Sequence, residues 1–311
     1  MIRKANEVNQ TEKYRGVIYG VPGIRKSTTG LSAPAPLIVD TDRGWSRIDV
    51  RFRRGGYIQP ETYDGLLSDL TQENCQEYKT IVFDTGGALL ELMKPYVIKQ
   101  SSKNGQKDGV TLSMAGYGAV GREFARLVDY CFSTLDKNVL VIFHAKEEQD
   151  GETKVYRLDI EGATKNNIWK NMDFGCFMEM RGTKYILGFS PTERYYAKSS
   201  RGIVGEIELP NVTSAENNTF ISDLFAKFKQ INKDELLLVE QYNKLMEKVR
   251  ALIEKVIDCK TVNDAVQEIK SYDHCFASKT EAWVLLSTKA EQLNLGYDKA
   301  SQLFKDKACL F

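Results

Sequence analysis

The sequence predicts an α/β fold, with a mostly parallel sheet, antiparallel edge strands and a C-terminal α-helical region. Three observations lead there. The first two-thirds of the 311 residues alternate short apolar runs with amphipathic segments, the rhythm of successive βαβ units. Several of these runs are apolar almost throughout, as suits strands covered on both faces by helices. Past residue 212 the alternation gives way to helical spacing.

In chain order, the predicted strands are Gly16–Tyr19, Leu37–Asp40, Thr80–Asp84 and Val139–Phe143. Shorter strands follow at Thr153–Leu158, Cys176–Met180, Lys184–Phe189 and Glu206–Leu209. These alternate apolar and polar residues, as antiparallel strands at a sheet edge do. The polar stretch Pro210–Asn218 is the predicted linker, because its Pro, Asn, Ser and Thr disfavour regular structure. It separates a core of residues 1–212 from a helical domain of residues 213–311. In the latter, Leu238, Tyr242, Leu245, Val249, Leu252 and Val256 form a 4-3-4-3-4 stripe on one long helix. The stripe reads as an intramolecular bundle seam, with a coiled-coil dimer as the alternative. Further helices are predicted at Val262–Ile269, Thr280–Leu293 and Lys299–Phe304.

Composition narrows the class. Hydrophobic residues make up 42% and charged residues 27%, which excludes a mainly disordered chain. Lys and Arg number 43 against 42 Asp and Glu. A chain so balanced does not coat nucleic acid by bulk charge, which leaves a local basic groove or many copies acting together. The six cysteines are scattered with no CxxC pair, the pattern of reduced thiols in a cytoplasmic protein. No apolar run follows the N-terminal charges and no stretch is long enough to cross a membrane, so neither a signal peptide nor a membrane partner is expected.

The most informative segment is Tyr19-Gly20-Val21-Pro22-Gly23-Ile24-Arg25-Lys26-Ser27-Thr28. It leaves a predicted strand and opens a helix, the setting of a phosphate-binding loop. A chain turning tightly there aims successive backbone N–H groups at a polyphosphate. Residues Gly20 to Thr28 are therefore the candidate nucleotide cradle. Lys26 sits at the β/γ-phosphates, and the Ser27 hydroxyl is a ligand for Mg2+. Arg25 stands where the G-x-x-x-x-G-K-[ST] motif has its second glycine. Downstream, Asp84 ends an apolar strand and is the candidate second magnesium ligand.

Four further segments carry a resemblance. They are Leu37-Ile38-Val39-Asp40-Thr41-Asp42-Arg43-Gly44, Gly116-Tyr117-Gly118, Val139–Lys146 with His144 at the strand tip, and Ala197-Lys198-Ser199-Ser200-Arg201-Gly202. With the phosphate loop they resemble the phage-type RecA/RadA-like P-loop ATPases of single-strand annealing and recombination. The resemblance covers Tyr14–Leu209 and implies a RecA-like P-loop NTPase core using ATP and Mg2+. It also implies roles: Asp42 activates water, although one methylene shorter than the usual glutamate, and His144 senses the terminal phosphate. Lys198 or Arg201 enters a neighbouring subunit's site, while Asp40 supports its strand end.

As partners the resemblance implies single-stranded DNA, further copies of the chain in a ring or filament, and a single-strand-binding protein, in a bacterial or phage-infected cytoplasm. Candidate DNA contacts are Arg51, Arg53 and Arg54, beside Arg47, Trp45, Phe52 and Tyr57, together with Lys103, Lys107 and Tyr117 on or after a long polar loop. Cations interleaved with aromatic rings suit single strands, because stacking tolerates any base. Two other readings stand beside this one. The first is a nucleotide-binding assembly or regulatory module with weak or no ATPase activity, because Arg25 replaces the glycine. The second is a small-molecule kinase.

Overall fold

The computed structural model describes residues 13–161, 164–200 and 202–309. The chain divides into two compact units at Lys229/Gln230.

The first unit is built on β1 (Arg15–Gly20), α1 (Lys26–Gly30), β2 (Pro36–Asp40), β3 (Gly56–Ile58), α2 (Tyr63–Asp69), β4 (Thr80–Asp84), α3 (Gly86–Gln100) and α4 (Met114–Asp129). It continues through β5 (Asn138–Asp150), β6 (Thr153–Leu158), α5 (Thr164–Asn167), β7 (Phe174–Arg181), β8 (Lys184–Gly188), β9 (Lys198–Ser199) and β10 (Glu206–Glu208). The sheet order is β10-β8-β7-β1-β5-β4-β2-β3, with β6 paired to β5 and β9 to β7. The run from β7 to β3 is parallel. Strands β6, β8, β9 and β10 pair antiparallel at its margins. The predicted mixed sheet is therefore present, with β3 as an added short edge strand.

Side-chain alternation explains the layers. Val17, Tyr19, Val39, Ile81, Phe83, Val141 and Phe143 point to one face, where they pack with Leu89, Met93, Val120, Phe124 and Leu127 of α3 and α4. On the other face, Ile142 and Val82 lie 3.0 Å from where a Cβ on Gly30 of α1 would sit. Both faces are dry, which is why β2 and β4 are buried at every position.

The helix α6 (Phe220–Glu254) begins in this unit. Ile221 and Phe228 at its start are fully buried. Tyr14 packs on Phe225 and Phe228 with ring centroids 5.2 and 5.0 Å apart, and Phe174 lies 5.5 Å from Phe228. These rings carry the division past the polar linker that the sequence marks, to a point within the helix.

The second unit contains the rest of α6, α7 (Cys259–Ser271), α8 (Ser278–Gln292) and the strands β11 (Leu295–Asp298) and β12 (Leu303–Asp306). Its core gathers Met246, Val249, Val256, Val262, Val266, Ile269, Leu286 and Phe304, with Tyr242 and Leu252 packed against it. The stripe from Tyr242 to Val256 is thus a seam within the chain, whereas Leu238 is exposed. The helix expected at Lys299–Phe304 is instead the turn and second strand of a hairpin. Asp298 accepts hydrogen bonds from Ala300 N, Ser301 Oγ and Lys305 Nζ at 2.9, 2.7 and 2.6 Å. This local Asx turn satisfies the backbone in place of a helical turn. No described helix is long and apolar enough to cross a membrane.

Candidate phosphate-binding site

The C-terminal ends of β1, β2 and β4 converge on one edge of the sheet with His144 at the middle of β5, which runs on from there to pair with β6. Strand register places Gly20 beside His144 and Asp40 beside Asp84. A cleft of about 760 Å³ opens there, walled by Pro22, Gly23, Arg25, Lys26, Ser27, Thr28, Asp42, Arg47, Arg51, Asp84, Thr85 and His144. The sequence's nucleotide and magnesium candidates are brought together with its water and sensor candidates.

The loop's backbone follows from its neighbours. A Cβ on Gly20 would lie 2.2 Å from the Met178 carbonyl oxygen, so only glycine fits where β1 meets β7. Arg25, at φ 66° and ψ 25°, holds the left-handed conformation that glycine adopts without strain. Its guanidinium leaves the loop and rests over the Tyr185 ring, 5.0 Å from the centroid. The substitution therefore keeps the backbone of the motif while the side chain turns aside. Val21 is exposed and Ile24 is buried beneath the loop.

Lys26 is 5% exposed, and its Nζ donates to the Val21 carbonyl at 2.7 Å. Burial pushes its pKa down to about 8, against the pull of Asp84 and Asp42. Burial raises Asp84 to about 6; Asp42 and Asp40 add to this, while a hydrogen bond from Ser27 and the charge of Lys26 oppose it. Desolvation outweighs the mutual attraction of the pair, yet neutral pH still falls between the two values. Both groups are ionised there, a buried arrangement that favours an incoming charged ligand.

Asp40 accepts hydrogen bonds from Gly44 N, Trp45 N and Gln59 Nε2 at 2.6, 2.9 and 2.7 Å, so it braces the turn after β2. Asp42 faces the cleft and pairs with Arg47 Nη2 at 3.0 Å. Nδ1 of His144 is buried and finds no hydrogen-bond partner among the described residues. Burial, and next the Lys26 charge, hold the imidazole below its usual pKa, so it is neutral at pH 7.

These groups fit a magnesium nucleotide. The Ser27 hydroxyl and Asp84 carboxylate are hard oxygen donors, and the described residues hold no cluster of three or more His, Cys, Asp or Glu that could cage a metal. Mg2+ prefers such a site, completed by phosphate and water.

A second cleft, of about 490 Å³, shares Asp42, Thr85 and His144 with the first and is lined further by Glu91, Lys94, Tyr117, Lys146 and Asp159. Tyr117 thus lies near the site, its hydroxyl 3.4 Å from Glu161. Gly116 before it is required by packing, since a Cβ there would lie 2.1 Å from the Asn104 carbonyl. Lys103 and Lys107 are exposed on a loop ordered by the Gly105–Leu112 bridge.

Other candidates are placed elsewhere. Arg54, half-buried, donates to the carbonyls of Leu31, Ala33 and Ala215 at 2.5, 2.8 and 3.3 Å, so it ties three segments of the fold together. Arg53 donates to Ile48 and Ser46 carbonyls, both at 2.9 Å. Arg51 reaches the cleft wall but pairs with Asp49 at 2.6 Å. Lys198 lies on β9, where its Nζ donates to the Trp169 carbonyl at 2.9 Å; within this chain it is an anchor, not a free cation. Arg201 lies outside the described residues.

Sequence reasoning missed Thr85, which adjoins Asp84, and the cleft position of Arg47, five residues after Asp42. Val212 and Thr213 also reach the cleft; no motif marks them, because the chain's return after β10 brings them there.

A family model described as an AAA domain matches residues 12–201, more than half of the chain. The chain belongs to the AAA domain family. Its loop, carboxylate-tipped strand and parallel sheet are those of an ATP-binding, P-loop ATPase-like domain. Comparison with curated proteins finds no match. The AAA domain includes β1 through β9, so every group that walls the cleft, apart from Val212 and Thr213, belongs to it.

Proposed function

We propose that this AAA-domain protein binds and hydrolyses ATP with Mg2+ and acts, as an oligomer on single-stranded DNA, in phage-type recombination or annealing. The observation that carries the catalytic half is the buried pair Lys26 and Asp84, with the half-buried Ser27 hydrogen-bonded to Asp84, in one cleft with a His144 whose Nδ1 has no partner among the described residues.

Lys26 leaves its bond to Val21 and neutralises the β/γ-phosphates. Ser27 and Asp84 would hold Mg2+, which when bound would supply charge compensation to the phosphates. Asp42 orients a water whose oxygen bonds to the terminal phosphorus as the bond to the bridging oxygen breaks, the electron pair leaving with ADP. Asp42 accepts the proton the water releases. Neutral His144 donates or accepts a hydrogen bond through its free nitrogen, according to its tautomer, and so reports whether the terminal phosphate is present.

The DNA half draws support from the motif order, from Lys103 and Lys107 on the exposed loop, and from Tyr117 beside the second cleft. Lys198 acts across a subunit boundary only by giving up its carbonyl partner. A second reading, a nucleotide-binding assembly module with weak turnover, draws on the Asp42–Arg47 ion pair, which occupies the carboxylate that must handle water.

The test is ATP hydrolysis by the purified full chain, with and without single-stranded DNA, beside mass measurement of the assembly. The leading reading expects DNA-stimulated hydrolysis that Lys26→Ala abolishes. No binding of either ATP or DNA ends it. Binding without turnover favours the second reading, and phosphate transfer to a small molecule favours a kinase.

A further inference from the structure

The cations of the phosphate cleft differ in what holds them. Lys26 is buried on a loop carbonyl, Arg25 rests on Tyr185, and Arg51 pairs with Asp49 on its own turn. Arg47 is instead paired with Asp42, the carboxylate proposed to handle water. The short helical turn Trp45–Arg47 folds it back so that Nη2 lies 3.0 Å from the Asp42 carboxylate and 3.3 Å from the Asp42 carbonyl oxygen. Gly44 makes room for this: a Cβ there would sit 2.8 Å from both Arg47 Nη2 and Asp42 Oδ1. The Arg47 side chain is 66% exposed, so the pair is weak and the arm is free to swing. Arg47 and Asp42 both act electrostatically on His144, which places the pair beside the terminal-phosphate sensor.

We propose that Arg47 reads the terminal phosphate of a bound nucleoside triphosphate, exchanging its bond to Asp42 for one to phosphate and thereby freeing the Asp42 carboxylate. The guanidinium fork suits phosphate at least as well as carboxylate, and a terminal phosphate carries more charge than Asp42. A diphosphate offers nothing at that position, so Arg47 stays on Asp42 and the carboxylate stays occupied. The cleft thus couples the presence of the last phosphate to the release of its water-handling group, within one chain. This rests on the nucleotide-binding reading above.

The experiment is calorimetric titration of the full chain with ADP and with a non-hydrolysable ATP analogue, both with magnesium. Arg47→Ala is expected to lower the triphosphate-over-diphosphate preference about tenfold, and Arg47→Lys to restore part of it, since the charge remains but the fork is lost. Asp42→Asn is expected to move the preference the opposite way, upward, by releasing Arg47, and that gain is expected to vanish in the Asp42→Asn/Arg47→Ala double variant. A bridge that only braces the turn would shift both single variants in one direction. If wild type binds and Arg47→Ala keeps its preference, or if the Asp42→Asn gain survives without Arg47, the proposal for Arg47 is overturned while nucleotide binding stands. If wild type binds neither nucleotide, the nucleotide reading falls and takes this one with it.

Discussion

Gly20 and His144 are register partners across β1 and β5. The residue that opens the phosphate loop therefore lies beside a histidine whose Nδ1 is buried with no partner among the described residues. An orphaned nitrogen at that point costs free energy unless a ligand reaches it. The parallel register, not the loop alone, makes the edge a candidate site.

Lys26 carries a pH signature. Because burial lowers it to about 8, the free protein loses this charge as pH rises through that value, and phosphate binding draws a proton back. Nucleotide affinity is expected to fall above pH 8, with proton uptake on binding measurable by calorimetry in buffers of different ionisation enthalpy. Lys26→Ala is expected to weaken binding at least tenfold at pH 7 and to remove the uptake, given the strength of charge-assisted bonds.

Asp84 makes the same kind of trade, its buried charge weakening the fold in favour of the site. Its carboxyl is raised from 3.8 to about 6, so the folded state holds the proton more tightly than the unfolded one. The resulting penalty is absent below the unfolded value and complete above about 6. Asp84→Asn is expected to stabilise the nucleotide-free chain by roughly 2–3 kcal/mol at pH 7.5 and hardly at all at pH 4. Thermal melts at the two pH values check this, and the same variant is expected to lose magnesium-dependent nucleotide binding.

Arg25→Gly tests whether the motif's departure limits turnover. The arginine already holds the backbone at φ 66° and sends its side chain to Tyr185. Relief of left-handed strain, about 1 kcal/mol, is opposed by the lost cation–π contact and a freer unfolded chain. Stability is expected to change by less than about 1 kcal/mol, and ATP hydrolysis by less than about threefold. A much larger gain in hydrolysis would favour the weak-turnover reading.

Arg54 separates fold from surface. Arg54→Ala leaves the Leu31, Ala33 and Ala215 carbonyls without their donor. The expected loss is about 2–4 kcal/mol of stability, read by chemical denaturation. Single-stranded DNA affinity per folded molecule is expected to stay within about twofold, unlike that of a phosphate-contacting arginine.

Much of this protein is written locally in its sequence. The apolar runs that become β1, β2, β4 and β5, the turn that becomes the phosphate loop, and the carboxylate at the end of β4 are all legible from contiguous residues, because strand burial and turn chemistry are short-range properties. The hairpin at Asp298 and the entry of α6 into the first core were not legible. The first depends on one aspartate out-competing a helical turn, and the second on rings from distant strands. Only the tertiary structure decided which cations are available to a ligand. Arg54 and Lys198 meet carbonyls far along the chain and are held there, while Arg47 meets Asp42 and stays at the cleft. A side chain's free hydrogen-bonding capacity is what remains after folding has placed its neighbours, and for Arg54 and Lys198 those neighbours lie at least 21 residues away along the chain.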